Sequence, residues 1–145
     1  MKKLSILLLL AAMSSVSFAQ DIAQKDVPAV VLNAFQQKFP NQTDVDWEFK
    51  HNLYEAEFEI KNMDHDVYID STGKIVKYKK EITSAELPAA VTSSIQKNFV
   101  GYTIDDVKKT EEASAHTYKV ELKKGLEERK VVFGVDGKII ENKLD

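Results

Sequence analysis

The sequence has no cysteine and few residues that interrupt regular structure, with 5 Gly and 3 Pro among 145 residues. Without cysteine the chain cannot form a disulfide, a thiolate zinc site, an iron–sulfur cluster or a cysteine nucleophile. It also lacks a Gly-rich phosphate loop and a Pro-rich linker. The formal net charge of −3 gives no basic excess that would attract nucleic acid. Several enzyme classes are therefore excluded, and the composition is that of one globular domain.

The one long apolar run lies at the N-terminus, where residues 4–13 (LSILLLLAAM) follow two lysines. Small residues come next, including Ser17 and Ala19 at the positions that a signal peptidase reads. This pattern predicts a secretory signal peptide over residues 1–19. The run is shorter than the roughly 20 apolar residues of a membrane helix. We therefore expect a periplasmic or secreted protein that begins at Gln20 and has no membrane span after cleavage.

The rest of the chain contains an internal repeat. The segment VPAVVLNAFQQKF (residues 27–39) recurs sixty positions later as LPAAVTSSIQKNF (residues 87–99). Further on, YEAEF (54–58) matches YKVEL (118–122), and GKIV (73–76) matches GKII (137–140), both at a spacing of sixty-four. The four extra residues fall in the polar stretch 111–114, a predicted hairpin tip.

Hydrophobic periodicity predicts the same elements in each copy. Apolar residues at helical spacing, from Val27 to Phe39, predict a helix whose first turn contains Pro28. Period-two alternation then predicts four strands joined by turns. The predicted fold class is α+β: a duplicated unit of one helix followed by a four-stranded antiparallel meander, with the helices packed on one face of the sheet or sheets. Residues 20–145 are expected to form a single domain of two repeats, about 22–82 and 83–145, in one continuous sheet or two.

The doubled pattern of Leu/Val-Pro-Ala-x-Val, a Phe at the helix end, Tyr-x-Val/Ala-x-Phe/Leu and Gly-Lys-Ile resembles the PepSY-like, beta-lactamase-inhibitor-like periplasmic family. The resemblance covers roughly residues 22–142. It implies tandem helix-plus-four-strand repeats and a binding or inhibitory module. It supplies no motif residues for a site.

Asp64, His65, Asp66 and Asp70 form the densest group of metal-capable residues in the sequence. Strand geometry spreads the three aspartates over ~20 Å along one sheet face, which is too far to share an ion. We interpret the group as a polar hairpin, and a weak cation site is the alternative.

Catalytic patterns are also weak. The carboxylates Glu55, Glu57 and Glu59 share one side of a predicted strand, but nothing in the sequence would desolvate one of them for acid–base work. The three histidines have no ligand spacing and are predicted to be exposed. There is no Gly-x-Ser-x-Gly or Ser-x-x-Lys motif. We therefore predict no catalytic residue, no metal site and no cofactor.

Most aromatic side chains match the apolar phase of their element, which predicts that they form the core: Phe35, Phe39, Trp47, Phe58, Phe99 and Phe133. Tyr68 is out of phase with its apolar neighbours, and Tyr78 is expected on the same outward face. Exposed tyrosines among charges are typical of binding surfaces. The candidate partner-binding residues are Glu55, Glu57, Glu59, Tyr68 and Tyr78.

These features favour an exported, non-enzymatic binding or inhibitor-like protein whose open sheet face receives a protein or peptide of the cell envelope. Because the outward strand residues of the first repeat are acidic, the partner is expected to be basic there. The alternative is a periplasmic small-ligand or cation-binding carrier with the ligand held between the repeats. An enzyme is the least supported reading. The sequence does not indicate the oligomeric state.

Overall fold

The computed structural model describes residues 20–145, in which nine strands and two α-helices follow one another along the chain. The elements are β1 (Gln20–Ile22), α1 (Ala29–Lys38), β2 (Asp46–Lys50), β3 (Leu53–Ile60), β4 (Met63–Ile69), β5 (Ile75–Glu81), α2 (Ala89–Asn98), β6 (Thr103–Glu112), β7 (Ala115–Lys124), β8 (Glu127–Gly134) and β9 (Ile139–Leu144). A short 3-10 helix precedes each α-helix, at Gln24–Asp26 and Ser84–Glu86. The predicted signal peptide lies outside the described residues. None of the helices within residues 20–145 has the length and hydropathy needed to cross a bilayer.

Both α-helices begin after a proline and end at a phenylalanine. Pro28 and Pro88 are the N-cap residues. An amide at this position would have no carbonyl partner within the helix, so proline costs no hydrogen bond there. At the other end, the Phe39 amide donates to the Phe35 carbonyl, and Phe99 makes the equivalent bond. Each ten-residue helix is therefore set by local sequence, as the periodicity predicts.

All nine strands belong to one antiparallel sheet, and their order in space is their order in sequence. Residues directly opposite each other in neighbouring strands point to the same side of a sheet. Val67 lies opposite Ala56 and Tyr78, Tyr78 lies opposite Glu111, and Val107 on β6 lies opposite Val120. This register places the core residues under α1 and those under α2 on the same side of the sheet.

The core on that side consists of two clusters. The first is centred on α1 and strands β2–β4: Val27, Val31, Phe35, Trp47, Ala56, Phe58, Val67 and Ile69. The second is centred on α2 and strands β6–β8: Ile82, Leu87, Val91, Ile95, Phe99, Val107, Tyr118, Val120, Leu122, Val131 and Phe133. The six aromatic residues predicted to be core lie in these clusters or pack against them, so that prediction is confirmed.

The predicted fold class is wrong. The chain forms a single nine-stranded antiparallel sheet with two helices, and not a duplicated unit of one helix and four strands. Strand β1 precedes the first helix and pairs with β2, and β5 pairs with β6 across the predicted unit boundary. The physical reason is that a unit ending at β5 would leave a row of unpaired backbone groups along that strand. Pairing with β6 satisfies these groups, and hydrophobic periodicity carries no information about such long-range pairing.

Candidate functional site

The side of the sheet opposite the helices, here called the open face, carries mostly charged side chains. Five neighbouring carboxylates on β2, β3 and β4 of this face form the acidic patch: Asp46, Glu48, Glu55, Glu57 and Asp66. Glu48 lies opposite Glu55, and Glu57 lies between Asp46 and Asp66 on the two neighbouring strands. Like charges directly opposite each other are unfavourable in a sheet. The patch therefore stores electrostatic repulsion.

Glu55 is the anchor of the patch, because its residue is only 8% exposed. It lies directly opposite Tyr68 on β4. The Lys79 ammonium donates to the Tyr68 hydroxyl at 2.5 Å. The Nζ atoms of Lys79 and Lys77 lie 4.6 Å and 5.6 Å from the centroid of the Tyr68 ring, within cation–π range. Tyr68 thus forms the border between the acidic patch and the lysines of β5.

The pKa values reflect this crowding. Partial burial, followed by the charges of Glu55 and Asp66, raises the pKa of Glu57 above its ordinary value. Burial likewise raises the pKa of Asp66, although Lys79 acts in the opposite direction. Burial, followed by the nearby Glu55 carboxylate, raises the pKa of Tyr68, so its hydroxyl remains protonated. A positive charge brought to the patch would offset the mutual repulsion of these carboxylates, which adds to the larger effect of burial on the pKa of Glu57.

Three carboxylates of the patch converge closely. Oxygen atoms of Glu48, Glu55 and Glu57 lie within 4.8 Å of one another. An ammonium or guanidinium group placed there could contact more than one of them. The sequence grouped Glu55 and Glu57 with Glu59 because of their alternate spacing. The structure instead adds Glu48, which the pairing of β2 with β3 brings beside Glu55.

Glu59 lies on the open face but farther along β3, opposite Asp64. It lines a cavity of about 620 Å³ with the loop at residues 41–44 and with Glu57 and Asp66. Of the five candidate residues, the structure therefore brings Glu55, Glu57 and Tyr68 together and places Glu59 at the margin.

Tyr78, the fifth candidate, lies opposite Val67 on the helix-bearing side of the sheet, so the expectation that it shares the outward face with Tyr68 is wrong. Its ring centroid is 5.6 Å from that of Phe39 and 5.8 Å from that of His65, and its hydroxyl is 2.6 Å from His65 Nδ1. The Lys38 ammonium lies over the Tyr78 ring, 4.8 Å from the ring centroid. Burial raises the pKa of Tyr78 to about 12. Near the same ring, Lys38, Glu111 and Ala113 help to line a second cavity of about 500 Å³.

The group Asp64, His65, Asp66 and Asp70 does not converge. His65 is buried on the helix-bearing side, which makes the expectation of an exposed histidine wrong at this position. Its ring stacks on Phe58 at 5.3 Å. Asp64 and Asp66 lie on the open face, whereas the Asp70 carboxylate accepts hydrogen bonds within its own turn from the following residues. This arrangement fits the polar-hairpin interpretation.

Comparisons with known proteins add a family and a fold. The family model described as "Putative beta-lactamase-inhibitor-like, PepSY-like" matches residues 16–77 and again residues 74–141. No curated protein matches the chain.

Solved structures from Bacteroides species have the same fold. A DUF2874 family protein from Bacteroides uniformis is 22% identical, with a TM-score of 0.71 over 81% of this chain and 88% of that one. A protein from Bacteroides eggerthii, described as one of the "putative periplasmic proteins", is 18% identical, with a TM-score of 0.73 over 81% and 88% of the two chains. A BLIP-like protein from Bacteroides fragilis is 21% identical, with a TM-score of 0.66 over 81% and 85%. At these identities the similarity shows the fold alone.

Proposed function

Because the chain belongs to the PepSY-like family, we propose that it is an exported, non-enzymatic binding or inhibitor-like protein whose open sheet face receives a protein or peptide partner. The observation that carries this proposal is the acidic patch. Strand pairing crowds five carboxylates on one end of an otherwise ion-paired face. A patch of this kind stabilises a complex with a basic partner more than it stabilises the free protein.

The rest of the open face, on β5–β8, also supports a basic partner, because its charges are already paired within the protein. On β5–β8 the lysines are matched by nearby carboxylates, as in the pairs Lys77–Glu112 and Lys123–Glu128, each 3.1 Å apart. The five carboxylates of the acidic patch outnumber the lysines at its border, where Lys79 donates to the Tyr68 hydroxyl and Lys108 lies near Asp66. The partner surface is therefore expected to place Lys or Arg side chains against β2–β4 and to contact the half-buried Tyr68 ring.

The proposed location is the bacterial envelope. The support is the signal-peptide pattern of residues 1–19, together with the description of the Bacteroides eggerthii protein as periplasmic. The BLIP-like name of the Bacteroides fragilis protein supports an inhibitory role.

The test is crosslinking in the native envelope followed by mass spectrometry, with the double variant Glu48→Lys/Glu57→Lys. Both residues belong to the patch, and neither is the buried anchor Glu55. We expect crosslinks to a specific partner to fall at least about tenfold, since several charge contacts become repulsive. The matched control is Gln36→Lys/Gln37→Lys, which adds positive charge on the exposed side of α1. Equal crosslinking of the patch variant and the wild type would refute the proposed face.

The alternative function, a cation-binding carrier, is tested by thermal unfolding in the presence of metal ions. If the converging oxygens of Glu48, Glu55 and Glu57 held a cation, added Ca²⁺ or Mg²⁺ would raise the midpoint of thermal unfolding by mass action. The same shift would be absent in Glu57→Gln. The partner-binding proposal predicts no specific shift with either ion.

A further inference from the structure

Strand β9 forms one edge of the sheet, and within residues 20–145 no strand pairs with its outer side. All its residues after Ile139 are exposed, including the apolar Ile140 at 60% and Leu144 at 64%. A six-residue edge with exposed apolar side chains is a template for an added strand. The question is which strand fits it.

The direction of the backbone groups follows from the hydrogen bonds to β8. The Asp145 amide donates to the Glu128 carbonyl at 3.0 Å, and Leu144 lies opposite Arg129. Alternate residues of a strand point their amides to opposite edges. The amides of Glu141 and Lys143 therefore point toward β8, and those of Asn142 and Leu144 point outward. These outward groups have no strand partner within the described residues.

The side chains of β9 match an antiparallel copy of themselves. Glu141 and Lys143 lie on the open face, opposite Val132 and Lys130 of β8. If Asn142 lies opposite Asn142 of a second copy, each Glu141 faces a Lys143 and each Ile140 faces a Leu144. In this register the outward amides of Asn142 and Leu144 fall at hydrogen-bonded positions, whereas Glu141 and Lys143 fall at the closer, non-hydrogen-bonded positions.

Neighbouring registers are unfavourable. A shift of the symmetry axis by one residue places Glu141 opposite Glu141, or Lys143 opposite Lys143. Charged side chains on an edge strand usually oppose pairing. Here they oppose the two registers next to the one centred on Asn142, and in the register centred on Asn142 they form cross-strand ion pairs.

We propose that two copies of this chain associate through β9, in an antiparallel pair centred on Asn142, to form one continuous sheet. A six-residue strand pair buries little surface, so the dimer is weak and depends on protein concentration. The acidic patch lies at the opposite end of each sheet and remains free. The proposal is therefore independent of the proposed partner-binding function, and either can fail without the other.

The test is sedimentation equilibrium of the purified protein from about 5 to about 500 µM, a range suited to weak interfaces. The key variant is Asn142→Pro, which removes an outward amide and leaves the β8 hydrogen bonds in place. We expect its dimer dissociation constant to rise at least about tenfold. The control Asn142→Ala keeps the amide but loses the side-chain bond from Arg129, and we expect it to dimerise like the wild type.

A charge-exchange series provides a second test that does not depend on proline. Glu141→Lys and Lys143→Glu each place like charges across the dimer axis, and both are expected to weaken association. The double variant Glu141→Lys/Lys143→Glu restores opposite charges and is expected to recover it. A wild-type protein that stays monomeric at every concentration would overturn the proposal. So would a dimer that Asn142→Pro leaves unchanged, or a double variant as weak as the single ones.

Discussion

At the scale of single residues, His65 shows how the environment of a side chain changes its chemistry. Its ring lies between Phe58 and Tyr78 and is 8% exposed. Burial, followed by the positive charge of Lys80, lowers its pKa below the ordinary value of 6.5, while the aspartates on either side of it oppose the shift more weakly. A lowered pKa means that the folded protein disfavours the protonated ring.

His65 should therefore make stability depend on pH. In the unfolded chain the ring takes up a proton near pH 6.5, and in the folded protein only at lower pH. The contribution of neutral His65 is present above pH 6.5 and is lost as the pH falls through the lowered pKa. We expect the free energy of unfolding of the wild type to fall, relative to that of His65→Phe, between about pH 7.5 and about pH 5.

Urea denaturation at a series of pH values measures this difference. His65→Phe also loses the hydrogen bond between Tyr78 and His65, which lowers its stability at every pH. The comparison is therefore between the slopes of the free energy of unfolding against pH, and not between its absolute values. The control His51→Asn changes a histidine in an exposed turn with positive φ, which Asn tolerates, and should keep the wild-type slope. If His65→Phe keeps the wild-type slope as well, the proposed effect of burial is wrong.

At the scale of elements, two glycine turns fix the helices against the sheet. In the turn before β5, a Cβ atom on Gly73 would lie 2.9 Å from the Val30 carbonyl oxygen in α1. In the turn before β9, a Cβ atom on Gly137 would lie 2.3 Å from the carbonyl oxygen of Ala90 in α2. Only glycine allows backbone to approach backbone so closely, and both turns also need a positive φ. Each turn therefore holds the first turn of a helix.

Substitution of Gly137 should be costly for this reason. We expect Gly137→Ala to lower the free energy of unfolding by about 2–4 kcal/mol, because the strained φ of +78° and the clash with α2 add together. The matched control is Gly125→Ala, where φ is +61° but nothing lies within 4 Å of the added Cβ. It should cost only about 1 kcal/mol, from backbone strain alone. Equal losses in chemical denaturation would contradict the packing role of Gly137.

At the scale of the whole molecule, the continuous sheet connects two cores that share no buried side chain. The first cluster contains Trp47, the only tryptophan in the chain, and the second contains Leu122. The connection is the ladder between β5 and β6, in which five residue pairs from Lys77 to Glu81 lie opposite β6. A chain region of about 60 residues is marginal alone. We therefore infer that the two cores unfold together.

A cavity in the second core should destabilise the first. Leu122→Ala removes a fully buried side chain and should cost about 2–5 kcal/mol. If unfolding is cooperative, Trp47 fluorescence and far-UV circular dichroism report the same lowered midpoint. The control Leu126→Ala, at a fully exposed position, should leave both midpoints unchanged. A Trp47 transition that stays at the wild-type midpoint in Leu122→Ala would show that the two cores unfold separately.

Local patterns in the sequence determined the helices, most strand positions, a hairpin tip within residues 111–114 and the aromatic core, because helical and strand periodicity depends on near neighbours. Pairing between distant strands was decided only in the tertiary structure. It joined β5 to β6 in one sheet, brought Glu48 beside Glu55, and buried His65. A shift of register after Tyr68 also placed Tyr78 opposite Val67, on the helix-bearing side. These outcomes depend on which strands pair through backbone hydrogen bonds and which apolar faces pack together. Both involve residues far apart in the chain, so the spacing of residues in the sequence does not predict them.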